Sequence, residues 1–145
     1  MQLETAHSGV IEIDMAECID FPEGIPGFEH CKKFVLLGHD SNEHPFFWLQ
    51  SVDQPEYCFI VTDPFIIYND YGVDIDDEDV NLLQITNADT VLTVAVVVVP
   101  ENIKDARVNL KAPILINTEK KLGKQVIQKN DNLPIRYSLY QNQND

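Results

Sequence analysis

The fold is decided by a single run of residues, Val91-Leu92-Thr93-Val94-Ala95-Val96-Val97-Val98-Val99, which ends at Pro100. Five of its last six residues are valine, and β-branched side chains favour the extended backbone of a strand. Successive side chains of a strand point to opposite faces, and neither face of this run carries a charge. We therefore predict a central β-strand that is covered on both faces, as in a barrel or a sandwich. The run is shorter than the roughly 20 apolar residues of a membrane-spanning helix.

Before this run, short apolar segments alternate with turn residues. Extended segments are predicted at residues 2–5, 10–14, 18–21, 33–37, 46–51, 57–62 and 65–68. The first two form a hairpin around Gly9. Pro26 and Gly27 suit the two central positions of a type II turn, because proline presets φ near −65° and glycine accepts a positive φ. These segments predict antiparallel strands joined by short turns.

One helix is predicted, within residues 74–83. Asp76 is suited to cap its first turn, and the three acidic residues that follow would lie at the positive end of the helix dipole. Ile75, Val80 and Leu83 would form a narrow apolar stripe. Because isolated helices of this length are marginal, we expect this one to depend on packing against the sheet.

After Pro100 the pattern predicts either two strands or one bent strand, at residues 107–110 and 113–117. Lys120, Lys121 and Lys124 lie in a predicted basic turn, which is followed by a last short strand at residues 125–127. The predicted fold is all-β: a single-domain, antiparallel β-barrel-like fold with one short helix, over residues 1–130. Residues 131–145 are predicted to be a polar C-terminal tail with a disordered end. Closed sheet edges would favour a monomer.

Charge is unevenly distributed along the chain, whose net charge is -14. Residues 1–80 hold 18 acidic and 2 basic residues, a net of −16, whereas residues 81–145 hold 6 and 8, a net of +2. An acidic surface repels phosphates, so we predict no direct binding of nucleic acid. The natural complement is a basic protein partner. The alternative is that the charge serves solubility alone.

The first residues contain neither a basic segment nor an apolar run of the kind that forms a signal peptide. We therefore expect a cytoplasmic protein and no membrane association. Cys18, Cys31 and Cys58 cannot all pair, and none belongs to a CxxC motif. They are interpreted as reduced thiols that pack as small apolar side chains.

The sequence contains little that indicates catalysis or metal binding. A calcium loop that starts at Asp74 would need glycine at position 79 and glutamate at position 85, where the chain has Asp79 and Ile85. No GxSxG motif, phosphate-binding loop or metal-binding histidine spacing is present; the four histidines are His7, His30, His39 and His44. We predict no cofactor and no enzymatic activity. Two alternatives remain: a small β-barrel enzyme with a Cys–His or carboxylate pair, and a barrel that binds a small apolar molecule.

Four motifs occur in order along the chain. They are Gly24-Ile25-Pro26-Gly27-Phe28, Phe46-Phe47-Trp48-Leu49-Gln50-Ser51, Val61-Thr62-Asp63-Pro64-Phe65 and Leu110-Lys111-Ala112-Pro113-Ile114-Leu115-Ile116-Asn117, the last followed by Gly123-Lys124-Gln125-Val126-Ile127. In this order and spacing they resemble the bacterial flagellar assembly factor FliW family, from about residue 1 to residue 130. The segment from Tyr68 to Ile75 is also similar to the family pattern.

The resemblance implies a small antiparallel β-barrel-like protein that is not an enzyme. Members of that family bind flagellin in the cytoplasm. They also bind the translational repressor CsrA, a small RNA-binding protein, and prevent it from silencing flagellin messenger RNA. Export of flagellin then frees the family member to sequester CsrA.

Combined with the charge pattern, the resemblance leads to a hypothesis about the repressor-binding surface. An exposed charge pair contributes only about 1 kcal/mol at 4 Å in water, so apolar anchors are needed beside the acidic residues. Tyr68 and Tyr71 are the candidate anchors. Phe65 is a third candidate, although we expect it to lie in the core. The basic turn is either a solvated loop or a contact for an acidic partner. The residues assigned to the repressor-facing surface are Tyr68, Tyr71, Asp74, Asp76, Asp77 and Glu78.

Overall fold

A computed structural model describes residues 1–5, 9–38, 45–130 and 132–139. These residues form eleven strands and two short α-helices. The strands are β1 Gln2–Thr5, β2 Gly9–Glu12, β3 Ile19–Asp20, β4 Lys33–Leu37, β5 Phe46–Ser51, β6 Cys58–Thr62, β7 Val91–Val98, β8 Arg107–Val108, β9 Ile114–Asn117, β10 Leu122–Gln125 and β11 Tyr137–Ser138. The helices are α1 Pro64–Ile67 and α2 Asp77–Leu82, and 3-10 turns occur at Met15–Glu17, Ala88–Thr90 and Ile103–Asp105.

Seven of the strands close into a barrel in the order β7-β6-β5-β4-β3-β10-β9, because β9 pairs back onto β7. The pairings are antiparallel except for β3 with β10, which are parallel where Asp20 meets Leu122. The predicted all-β barrel is therefore confirmed. The hairpin of β1 and β2 forms a separate small sheet, and Leu3 of β1 and Ile13, the residue after β2, pack against Val35 of the barrel.

Strand β7 is central because it pairs with three other strands. Its first half pairs with β9, while its second half pairs with β6 on one edge and β8 on the other. Val94 lies inside the barrel, whereas Ala95 and Val97 pack in a second cluster outside it. The prediction that both faces are covered is wrong at the end of the run, where Val98 and Val99 are 50% and 44% exposed. The barrel has ended by that point, and no element covers these two side chains in the described part of the chain.

The middle of the barrel is filled with side chains. Phe21, Phe34, Leu49 and Val61 are fully buried there, and the rings of Phe21 and Phe34 meet edge to face at 4.9 Å. Burying one such side chain contributes about 1.5–3 kcal/mol. Gly123 lets β10 approach this core, since a Cβ at this position would lie 2.5 Å from Phe21 Cζ. The apolar-ligand alternative needs space inside the barrel and gains no support here.

Residues 65–68 were predicted as extended, and this prediction is wrong. Asp63 Oδ1 accepts a hydrogen bond from the Phe65 amide at 2.9 Å, and Pro64 occupies the first helical turn. Proline fixes a helical φ and lacks an N–H that would otherwise be unpaired there. Asp63 and Pro64 therefore start helix α1 where the sequence predicted only a turn between two extended segments, and the described residues contain two short α-helices rather than one.

The C-terminal half differs from the prediction in two ways. The turn lies at residues 118–121, where Lys121 adopts a φ of 57°, so β10 begins at Leu122 instead of residue 125. Residues 132–139 also pack on the domain rather than forming a tail. Leu133 is buried, and β11 pairs with β8. The predicted disorder at residues 141–145 lies outside the described residues, as do His7, His39 and His44.

Candidate protein-binding surface

Residues 63–89, here termed the acidic segment, carry eight acidic residues and neither lysine nor arginine. In the sequence the flanking basic residues are Lys33 and Lys104. The segment includes both α-helices and joins β6 to the 3-10 turn before β7. Asp79 is the one acidic residue of the segment that is buried. The segment therefore presents a strongly electronegative surface around α1 and α2.

Helix α2 begins as predicted, with Asp76 as its N-cap. The Asp76 Oδ1 atom accepts a hydrogen bond from the Asp79 amide at 2.9 Å. This bond from the Asp79 backbone N–H lowers the pKa of the Asp76 carboxyl. Asp77 and Glu78 occupy the first turn and are exposed. Asp76 thus has a structural role, while Asp77 and Glu78 are available to a partner.

Asp79 and Lys124 form an ion pair that links α2 to β10. The Lys124 ammonium donates to Asp79 Oδ1 and also lies 3.6 Å from Glu23 Oε1. The side chains of Lys124 and Asp79 are only 20% and 8% exposed, and the hydrogen bond to Asp79 raises the pKa of Lys124. The assignment of Lys124 to a basic turn is wrong, because Lys124 lies in β10 and its charge is paired with Asp79.

The two tyrosines assigned to the surface occupy different environments. Tyr71 is 8% exposed, and its hydroxyl donates to the Leu110 carbonyl at 2.7 Å. Burial raises the pKa of Tyr71 to about 12. Tyr68 is half-buried, with its ring edge-to-face against Tyr71 at 6.2 Å and Tyr137 at 5.1 Å. Tyr71 therefore supports the fold and exposes little of itself, whereas part of Tyr68 remains accessible.

The core position expected for Phe65 is wrong, because Phe65 and Ile66 are 51% and 76% exposed. Helix α1 buries Pro64 and directs these two residues outward. The Phe65 ring rests edge-to-face on Tyr71 at 5.4 Å, so the buried tyrosine supports an exposed phenylalanine. An Asp-Pro pair before an apolar run is an N-cap signal, and it could have indicated this helix.

An open groove with a volume of about 400 Å³, here termed the α2 groove, lies beside Phe65. Its lining includes Val80 of α2, Val91 and Thr93 of β7, and Leu115 of β9. Among the residues that the structure describes, those that line the groove are all uncharged. Sequence reasoning missed the groove because its walls come from segments that are distant in the chain.

The described residues give no support to catalysis or metal chemistry. Among them no group of three or more His, Cys, Asp or Glu side chains could hold a metal ion. Burial raises the pKa of Cys18 and Cys31, and that of Cys58 to about 11, so the thiols stay protonated and are poor nucleophiles at neutral pH. His30 packs its ring against Tyr57 at 5.5 Å. In the described ranges no helix is long and apolar enough to cross a membrane.

Comparison with known proteins adds a family to this geometry. The model of the FliW protein family matches residues 2–139. The chain belongs to the FliW family. It is 45% identical over 136 residues to the flagellar assembly factor FliW of Caldicellulosiruptor saccharolyticus. The aligned residues cover 94% of this chain and 88% of that protein. The flagellar assembly factor FliW of Caldanaerobacter subterraneus subsp. tengcongensis is 40% identical over 139 residues, covering 96% and 93%.

A solved structure agrees with this family assignment. A crystal structure of the flagellar assembly factor FliW superposes with a TM-score of 0.88 at 40% identity and covers 96% of each chain. The FliW match extends to residue 139, so the family pattern includes the segment that carries β11. These relatives are named as assembly factors and not as enzymes.

Proposed function

We propose that this chain is a non-enzymatic flagellar assembly factor that binds flagellin in the cytoplasm and also binds a translational repressor of the CsrA type. Binding would prevent the repressor from silencing flagellin messenger RNA, and export of flagellin would free the chain for the repressor. The observation that carries this proposal is the family match over residues 2–139. In this proposal the chain acts as a monomer without a cofactor, and it does not bind nucleic acid or membranes directly.

The acidic segment supports a basic protein as partner. A repressor that binds RNA presents positive charge to the phosphates, and seven exposed or half-exposed carboxylates of the acidic segment could dock beside that charge. We assign Asp74, Asp76, Asp77 and Glu78 to the repressor-facing surface, with the accessible part of Tyr68 at its margin. The role proposed for Tyr71 is indirect, since it holds Phe65 and Tyr68 in place.

A displacement titration tests the proposal. The repressor is bound to a labelled RNA from the flagellin leader, and the chain is added until the RNA is released. The variant is Asp77→Lys with Glu78→Lys, because both residues are exposed and leave the Asp76 cap intact. Each reversal replaces an attraction of about 1 kcal/mol with a repulsion of similar size, so we expect displacement to weaken at least about tenfold.

The matched control is Glu101→Lys with Glu119→Lys, which changes the net charge equally at exposed positions outside the acidic segment. We expect this control to displace RNA within about threefold of the unaltered chain. Equal loss in both variants would mean that total charge, rather than this surface, determines binding. No displacement by the unaltered chain would refute the proposed action on the repressor.

A further inference from the structure

The α2 groove is an apolar surface, and residues that line it are followed or preceded in the chain by acidic residues. Eight of its eleven lining residues are apolar and three are neutral and polar. Phe65, which is 51% exposed, forms part of one wall. Ile75 and Val80 also line it, and the intervening residues of α2 carry the exposed carboxylates of Asp77 and Glu78. An apolar surface with a charged rim is the usual layout of a protein-binding site.

Strand β9 beneath the groove is paired along both of its edges, with β7 on one side and with β10 on the other. Thr93 of β7 and Leu115 of β9 line the groove and pair with each other across the barrel seam. A partner therefore cannot add a strand to β9, and across this apolar lining its side chains supply the contact. An amphipathic helix does this by inserting residues spaced i, i+3, i+4 and i+7 into a groove.

We propose that the α2 groove binds the apolar face of a basic amphipathic helix from a protein partner. Lysine and arginine residues beside that face would meet the carboxylates of α2 and of the acidic segment. A second copy of this chain cannot supply such a helix, because its own described α-helices have four and six residues and contain no basic residue. The inference deepens the proposed function and rests on it, since it describes how a partner of that function engages the chain.

The test uses a designed peptide of about 18 residues, roughly five helical turns, with leucine at the four spaced positions, lysine at the positions that flank this face and alanine elsewhere. A scrambled peptide of the same composition is the reference for charge alone. Affinity for the full chain is measured by fluorescence anisotropy at about 0.1 M and about 1 M salt, where the Debye length is about 10 Å and 3 Å. We expect the helical peptide to bind at least tenfold tighter than the scrambled one at both salt concentrations.

Two variants act on the groove in opposite ways. Thr86→Trp fills it from an exposed position, and Phe65→Ala removes part of its wall. The control is Val10→Trp on β2, which is 64% exposed and lies outside the groove lining. We expect both groove variants to weaken the helical peptide about tenfold or more and the control to leave its affinity within twofold. Thermal melts of all three confirm folding.

Parallel binding to purified flagellin and to the purified repressor separates the two proposals. Suppose that the unaltered chain binds flagellin or the repressor. If both groove variants then bind that protein and the helical peptide with unchanged affinity, the groove inference is refuted and the proposed function stands. Equal affinity for helical and scrambled peptides also refutes it. If groove variants lose the peptide but the unaltered chain binds neither protein, the groove stands as a helix-binding site and the proposed function fails.

Discussion

Asp79 and Lys124 form an ion pair whose two members are buried to different extents. We therefore expect the two single substitutions to cost different amounts of folding stability. The Asp79 side chain is 8% exposed and that of Lys124 is 20% exposed, and Lys124 has Glu23 as a second acidic neighbour. Lys124→Met leaves the buried Asp79 carboxylate without its cation. Breaking a buried pair in this way costs about 3–5 kcal/mol, and the residual exposure places the expected loss near 3 kcal/mol.

Asp79→Leu should cost less, about 1–2 kcal/mol, because the Lys124 ammonium keeps partial access to water and to Glu23. The double variant replaces both charges with apolar side chains and should return to within about 1 kcal/mol of the unaltered chain. The assay is urea unfolding followed by tryptophan fluorescence of Trp48, with an unchanged m-value as the control for two-state behaviour. Additive losses in the double variant, or a larger loss for Asp79→Leu than for Lys124→Met, would show that unequal burial does not set the cost of breaking this pair.

Two further predictions concern the packing of the barrel core and the loss of folding stability at alkaline pH. Gly123→Ala places a methyl group against the Phe21 ring and should lower the free energy of unfolding by about 1–3 kcal/mol; a loss below about 0.5 kcal/mol in urea unfolding would show that β10 shifts freely. Tyr71→Phe removes the hydrogen bond to the Leu110 carbonyl and should cost about 1–2 kcal/mol at neutral pH. Because the pKa of Tyr71 is raised to about 12 in the fold, its stabilisation is complete below the ordinary value near 10 and is lost as the pH rises through 12. The difference in stability between the unaltered chain and Tyr71→Phe should therefore narrow from pH 10 to pH 12 in thermal melts. A constant difference would contradict the raised pKa of Tyr71.

Local patterns in the sequence were enough to predict much of the barrel. Strands β4 and β5 have the predicted bounds, and β7 ends one residue before the predicted end. These strands combine apolar or β-branched runs with clear turn residues at their ends, so short-range preferences and burial agree. The Asp76 cap was predictable for the same reason, because its hydrogen bond is made within one turn of α2.

Features made by residues distant in sequence could not be predicted. The pairing of Asp79 with Lys124 spans 45 residues, and the Tyr71 hydroxyl bond spans 39. The first depends on the pairings that join β10 through β9 to β7 and the second on the pairing of β8 with β7, and a linear pattern reveals neither. The exposure of Phe65 and the burial of Tyr71 were not predicted for the same reason, since burial of an aromatic residue is decided by the elements that fold over it.

We propose that the chain acts by presenting the exposed carboxylates of the acidic segment to protein partners. The most direct measurement is the affinity of the purified chain for purified flagellin and for the purified repressor at low and high salt. We expect binding to both, with affinity for the repressor falling at least about tenfold as exposed charges are screened. Absence of binding to both partners, or repressor affinity that is independent of salt, would contradict it.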